Sequence, residues 1–202
     1  MAPAIIRDFR PSDTADLYDV CLHTGNSGQD ATGLFRHGRL LGDVYVGPYL
    51  EFAPEFALVA DDGRRAAGYA LAVLDTEQFE RRLQQDWWPK VQAQYAEVVQ
   101  TPETHILESE MLAVVQQPAR ANHPQLPEYP SHLHIDLLEG IRGQGIGRQM
   151  MDELFARLRS SGSRGVHLDV AVDNVGAQRF YRRLGFTQLI ANDDELFMGL
   201  SL

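Results

Sequence analysis

The sequence predicts an α/β fold of the α+β kind, and three stretches carry that expectation. Leu133 to Leu138 is an apolar, strand-like run that leads into Arg142-Gly143-Gln144-Gly145-Ile146-Gly147, and a helical pattern starts near Ile146. Asn174 sits as an N-cap before Ala177, Phe180, Tyr181 and Leu184 at helical spacing, and Gly185 supplies a left-handed stop before another strand. Ala4 to Phe9 alternates as a strand does.

Taken in order, the opening strand is followed by Pro11-Ser12-Asp13, which caps a helix from about Thr14 to Leu22. A glycine-rich loop spans Thr24 to Gly33. Strands over Phe56 to Ala60 and Ala67 to Val73 flank Asp61-Asp62-Gly63-Arg64, a hairpin turn by its residues. Residues 75–131 form a connection long enough to need structure of its own. Within it Phe79, Leu83, Trp87 and Val91 recur every fourth residue, one apolar stripe on a helix. The simplest reading packs that helix on the domain; Trp87, Trp88 and Tyr95 can instead line an acceptor pocket or a dimer surface. Pro118 to Pro130 reads as extended, proline-spaced loop. Met150 to Leu158 continues a helix, Gly165 to Val172 is a buried strand, and Thr187 to Leu202 returns as strand material.

With 202 residues, 44% of them apolar, the chain suits a single domain over 1–202. Its 18 basic against 28 acidic residues leave a net charge of −10, which argues against a nucleic-acid partner, since phosphate binding needs a basic face. An acidic surface suits a cationic amine substrate and equally serves as a solubilising coat. The lone Cys21 can form no internal disulfide and fits a small core position in a reducing compartment. Without a basic-then-apolar leader or an apolar run near 20 residues, the chain is expected to be soluble, cytoplasmic and without a membrane partner.

A strand that feeds a glycine-rich turn opening a helix is a phosphate cradle. Glycines admit close approach of the backbone, and the first N–H groups of the helix point at the ligand with the positive dipole end behind them. No Gly-Lys-Ser/Thr follows, so a nucleoside-triphosphate loop is disfavoured. The Gly143-x-Gly145-x-Gly147 spacing also misses the dinucleotide fingerprint. Arg-x-x-Gly-x-Gly resembles the acyl-CoA signature of the GNAT superfamily of N-acetyltransferases. Asn174-x-x-Ala177-x-x-Phe180-Tyr181-x-x-x-Gly185-Phe186 is similar to that superfamily's later motif at every signature position.

The resemblance implies a mixed, mostly antiparallel sheet flanked by helices, with a parallel splay at the cofactor strand and a helical insertion over about 75–131. It implies acetyl-CoA as co-substrate and an amine-bearing small molecule or peptide as acceptor. Leu137, Leu138 and Glu139 would offer main-chain contacts to the pantetheine arm and thioester. Arg142, Gly143, Gln144, Gly145, Ile146, Gly147 and Arg148 would wrap the pyrophosphate, and Asn174 would bond the pantetheine arm, cap its helix, or both. The Thr24–Gly33 loop would border the acceptor side or be plain surface. Tyr181 matches the family's general acid, a role that suits a phenol near its ordinary pKa of about 10.

For the base, His132, His134 and Asp136 share one face of a strand while Leu133, Ile135 and Leu137 share the other. The His-Leu-His pattern resembles the proton-relaying pair of arylalkylamine N-acetyltransferases; a structural pair is the other reading. Asp169 and His167 are reserve candidates, and many GNAT enzymes use a water chain instead. His132-x-His134 lacks the companions of a metal site, so no metal is expected. Several blocks, among them Leu41-Gly42-Asp43 and Gly162-Ser163-Arg164-Gly165, resemble the C-terminal acetyltransferase-like domain of animal O-GlcNAc hydrolases. In that domain the acetyl-CoA loop is degenerate, whereas Arg142 to Gly147 is intact here. The resemblance implies a stand-alone, bacterial-type relative able to bind acetyl-CoA. It leaves two functions open, an N-acetyltransferase and a non-catalytic acetyl-CoA-binding or interaction module, and a homodimer stays open with the Trp87-Trp88 surface.

Overall fold

Seven strands form one sheet in a computed structural model of the chain, which describes residues 4–119 and 126–202. Their spatial order is β1 (Ile5–Asp8), β2 (Ala57–Asp61), β3 (Ala66–Val73), β4 (Ser131–Leu137), β5 (Gly165–Ala171), β7 (Glu195–Ser201) and β6 (Thr187–Ala191). All neighbours pair antiparallel except β4 and β5, which run parallel. The expected hairpin joins β2 to β3, with Gly63 at φ +86° in the turn and the Asp62 N–H donating to Arg65 O at 3.2 Å. Strand β3 is buried at every position, which explains why it is an unbroken run of small and apolar residues. Of the proline-spaced stretch expected over 118–130, residues 120–125 lie outside the described residues.

Helices cover both faces. Tyr49, on the short helix α3 (Gly47–Phe52) that follows α2 (Leu40–Tyr45), bonds to His132 of β4. Gly147, on α7 (Ile146–Ser160), packs on Leu137 of the same strand. Side chains at even and odd positions of a strand point to opposite faces, so α3 and α7 lie on opposite sides of the sheet. Ile146, Met150, Met151, Leu154, Phe155 and Leu158 are the buried stripe of α7. The first helix, α1 (Thr14–Thr24), differs from expectation at its start. Asp13 makes no cap bond; its carboxylate accepts the Arg10 N–H at 2.7 Å and two guanidinium nitrogens of Arg7 at 2.7 and 2.9 Å, tying β1 to the helix. Cys21 is a core residue of α1, and burial pushes its thiol up to about 12.

Between β3 and β4 lie α4 (Thr76–Arg82), a π-helical turn (Leu83–Trp87), α5 (Trp88–Tyr95) and α6 (Ile106–Gln116). The π turn has a local cause. Pro89 has no N–H and its ring would collide with the carbonyl four residues earlier, so the chain widens by one residue before it. The widening shifts the stripe from Phe79 and Leu83 to Trp88, Val91 and Tyr95, all buried. Trp88 and Tyr95 are therefore packed inward, the simpler of the two sequence readings, and Trp87 is half-buried against Phe52 with its Nε1–H donating to Asp43 O at 2.9 Å.

Asp43 of α2 fixes this layer to the domain. It is 4% exposed and accepts the Tyr18 hydroxyl at 2.9 Å on one oxygen, and Tyr95 at 2.8 Å and Gln94 at 2.9 Å on the other. Asp43→Ala strands two buried donors, the Tyr18 and Tyr95 hydroxyls, and releases the exposed Gln94, so we expect a loss of about 3 kcal/mol. In urea unfolding this appears as a midpoint lowered by about 1.5 M, and an unchanged midpoint would show that the network contributes nothing net.

Candidate active site

The β4–β5 pair is joined only at Ser131–Val166 and His132–His167, after which the strands diverge. On the other edge of β4 the Leu138 N–H donates to Ala67 O at 2.9 Å. Ladder bonds alternate along an antiparallel pair, so the main-chain groups of Asp136 and His134 also face β3. On the opposite edge the His132–His167 bridge takes the Leu133 N–H and Arg142 takes Leu137 O, which leaves the Leu133 C=O, both main-chain groups of Ile135 and the Leu137 N–H facing the gap, and all three residues line the cleft that fills it. The Leu138 amide is thus spent on β3. Leu137 lies in the cleft wall, while Glu139 begins a 3-10 turn beyond it.

The glycine turn closes one end of the cleft. Gly143 and Gly145 adopt φ +76° and +81°, a backbone that side chains resist, although a Cβ would meet nothing within 4 Å at Gly143 and only Gln149 Nε2 at 3.9 Å at Gly145. Gly147 is needed for the opposite reason: a Cβ there would stand 3.2 Å from Leu137 Cδ1 and 3.4 Å from Phe180 Cζ, so α7 seats close on β4. The first intrahelical donor is Gln149, bonded to Gly145 O at 3.2 Å, which leaves the N–H groups of Ile146, Gly147 and Arg148 directed out of the helix end. Arg142 and Arg148 stand beside them in the wall, and Gln144 folds back on Gly140 O at 3.0 Å. The cleft measures about 1040 Å³, room for a large nucleotide-tailed ligand.

From the far bank, α8 (Val175–Leu184) contributes Asn174 and Tyr181. Asn174 Oδ1 accepts the Ala177 N–H at 3.0 Å, which realises the expected cap and fixes the amide so that Nδ2 is the group available to a ligand. Gly185 ends the helix at φ +101°. Tyr181 is buried. Desolvation, then the Asp136 charge, pushes its phenol well above 10, so it is a weaker acid than its ordinary value suggested.

The three β4 side chains expected on one face do share it, yet their chemistry differs. His132 is held on both sides. Its Nε2 lies 2.7 Å from the Tyr49 hydroxyl and its Nδ1 2.8 Å from Thr76 Oγ1. Thr76 spends its proton on Pro130 O at 2.8 Å, so Thr76 must accept from His132 Nδ1–H, and Nε2 must accept from Tyr49. Burial holds this imidazole well below 6.5, with the charges of His167 and His134 adding to the effect. His134 lines the cleft, edge-on to Tyr49 and near Tyr45; burial, then His167, lowers it to about 4. His167 is buried outside the cleft wall, donating Nδ1–H to Tyr129 O at 2.7 Å, while Asp169 lies in the wall.

Asp136, unassigned from sequence despite lying on the histidine face, is the carboxylate closest to a proton-accepting role. It lines the cleft and takes a 2.7 Å hydrogen bond from Tyr69. Burial raises it to about 6, with the Tyr69 bond working the other way. The alternation His132-x-His134-x-Asp136 was the available signal; nothing local to Tyr69 marks it as the partner. Among the described residues no group of three or more His, Cys, Asp or Glu side chains is arranged to hold a metal ion.

The profile of the Acetyltransferase (GNAT) family matches residues 29–186. The chain is 27% identical over 203 residues to Protein O-GlcNAcase of Rattus norvegicus, covering 98% of the chain and 22% of that protein. It therefore spans about a fifth of the length of the curated relative it matches. Among solved structures it is similar to SsHAT, with a TM-score of 0.90, 32% identity and 98% of each chain covered. At the level of fold it is similar to yncA of Salmonella typhimurium, solved with its cofactor acetyl-CoA: TM-score 0.57, 15% identity, 98% of this chain and 94% of that one.

The histidine geometry is open to direct measurement. Long-range proton–nitrogen spectra should show His132 as the neutral Nδ1–H tautomer without titration between pH 8 and 5, and His134 neutral until about pH 4. Both folded values lie below the unfolded one, so each histidine's contribution to stability is complete above about pH 6.5 and is lost as pH falls, where the unfolded chain takes up protons the folded one refuses. A His132 that titrates near 6.5 would break the assignment.

Proposed function

Because the chain belongs to the GNAT family of acetyltransferases, we propose that it moves the acetyl group of acetyl-CoA to an amine by direct attack of the amine nitrogen on the thioester carbonyl. One observation carries the reading. The outward N–H groups of the glycine turn and α7, the part of the β4 main chain that faces the gap, and two proton-handling side chains, Asp136 and Tyr181, converge on a single cleft. In this reading residues 142–148 hold the pyrophosphate. The main chain of Ile135 and the Leu137 N–H, with Asn174 Nδ2, hold the pantetheine arm.

Asp136 takes the proton of the incoming ammonium. A conjugate acid near 6 makes it a better acceptor than His134 near 4, and His132 has no free nitrogen. As the new C–N bond forms and the C–S bond breaks, Tyr181 offers its O–H to the departing sulfur and the second proton shed by the nitrogen restores the phenol, so CoA leaves as the thiol; with a raised pKa Tyr181 acts first as a hydrogen-bond donor and only then as an acid. Asp169 extends the acidic lining where a cationic acceptor approaches. A second reading, an acetyl-CoA-binding module without turnover, is favoured by that raised phenol and by the likeness to O-GlcNAcase. The two part on whether any amine accelerates CoA release.

Calorimetric titration with acetyl-CoA is the direct test, beside a variant carrying Arg142→Glu and Gly143→Glu. Micromolar binding that the variant loses supports the site; absence of binding by the wild-type protein ends the proposal. Tyr181→Phe should bind normally and turn over about 10- to 100-fold more slowly. The rate of the wild-type protein should fall as pH drops through about 6, because protonated Asp136 cannot accept. Asp136→Asn should lower kcat about 100-fold and erase that limb. It should not reduce stability at pH 8, since the folded state there carries a buried charge the variant lacks.

A further inference from the structure

The loop after α1 does more than border the cleft. At its tip Asn26 and Gln29 exchange main-chain hydrogen bonds, the Asn26 N–H to Gln29 O at 3.1 Å and the Gln29 N–H to Asn26 O at 2.9 Å. The two residues between them, Ser27 and Gly28, have φ +49° and +85°, so the chain turns back on itself within two residues. The root is firm. The Gly28 N–H returns to Thr24 O at 2.9 Å, the Ala31 N–H to Leu22 O at 3.0 Å, and Gly25 packs too closely on Leu41 to admit a Cβ.

What the tip touches gives it meaning. Gly28 O accepts from Arg142 at 2.9 Å, on the bank that follows β4, and the same guanidinium donates through Nε to Leu137 O at 2.6 Å. Ser27 Oγ donates to Asp173 at 3.0 Å, on the bank that follows β5. One two-residue turn thus bridges both lips of the diverging strands, at the open end of the gap. Ser27, Gly28 and Gln29 line the same cleft as the glycine turn.

We propose that residues 26–29 form a strap across the acyl-carrier channel, and that Ser27 is a positioning residue whose bond to Asp173 holds the strap down, orients Arg142 and sets the rate at which acyl-CoA leaves. The inference rests on the cleft being the acetyl-CoA site. A ligand lying in the gap between β4 and β5 has the strap on its exit side, so release requires the Ser27–Asp173 and Gly28–Arg142 contacts to break. Ser27 is the only non-glycine residue with positive φ among the described residues, a conformation glycine would adopt at lower backbone cost.

That cost makes the test clean. Ser27→Gly removes the hydroxyl and relieves the backbone, so the variant should melt at or above the wild-type temperature while releasing acetyl-CoA about 5- to 10-fold faster by surface plasmon resonance. Asp173→Ala should accelerate release to the same extent, and the double variant no further. Asp173→Asn, which keeps an acceptor oxygen, should restore release close to the wild-type rate. Wild-type release rates in both Ser27→Gly and Asp173→Ala, or fully multiplicative effects in the pair, would overturn the strap while leaving the cofactor site standing. No acetyl-CoA binding by the wild-type protein would overturn both.

Discussion

A parallel pair of strands that stays paired for two residues and then parts is the constraint on which the rest of the molecule depends. Had β4 and β5 remained in register to their ends, Ile135 and Leu137 would have spent their main-chain groups on β5 and the sheet would have been closed. Divergence leaves those groups without sheet partners and opens a gap through the middle of the sheet. Antiparallel partners on the outer edges, β3 beside β4 and β7 beside β5, keep the lips rigid. The glycine turn, the end of α7, the cap of α8 and the loop after α1 all converge on this one break.

Burial then sorts the ionisable groups around the gap by a single physical effect acting on opposite charges. Removing water disfavours whichever form is charged, so His132 and His134 fall and Asp136 and Tyr181 rise. At neutral pH the histidines and Tyr181 are therefore uncharged and the Asp136 carboxylate is the charge left at the chemical centre, with arginines toward the phosphate end and further carboxylates toward the other bank. The differences among neighbours come from hydrogen bonding. His132 is fully engaged by Tyr49 and Thr76, while Asp136 has one firm bond and faces the cleft.

Much of this was legible in the chain because the signals were local. The strand, glycine turn and helix over 133–158 and the capped helix over 174–185 announce themselves through residues a few positions apart. The π turn was not legible from the every-fourth-residue stripe, although Pro89 was its visible cause. What stayed hidden depends on register between distant segments. Which β4 amides face the gap follows from the pairing of Leu138 with Ala67, and Asp136 gains its meaning from Tyr69. The contacts of Ser27 and Arg142 join residues more than a hundred positions apart, where periodicity has nothing to say.

The position of the tryptophans has a consequence of its own. The chain has two, Trp87 and Trp88, and both stand at the π turn on the helical layer that Asp43 anchors. Neither lines the cleft between the diverging strands. Intrinsic ultraviolet emission from this protein is therefore a local probe of how that layer sits on the sheet. An indole spectrum that reddens before the circular dichroism of the sheet decays would mark the layer lifting off as a separate event, and the two optical signals together would map the order in which the molecule comes apart.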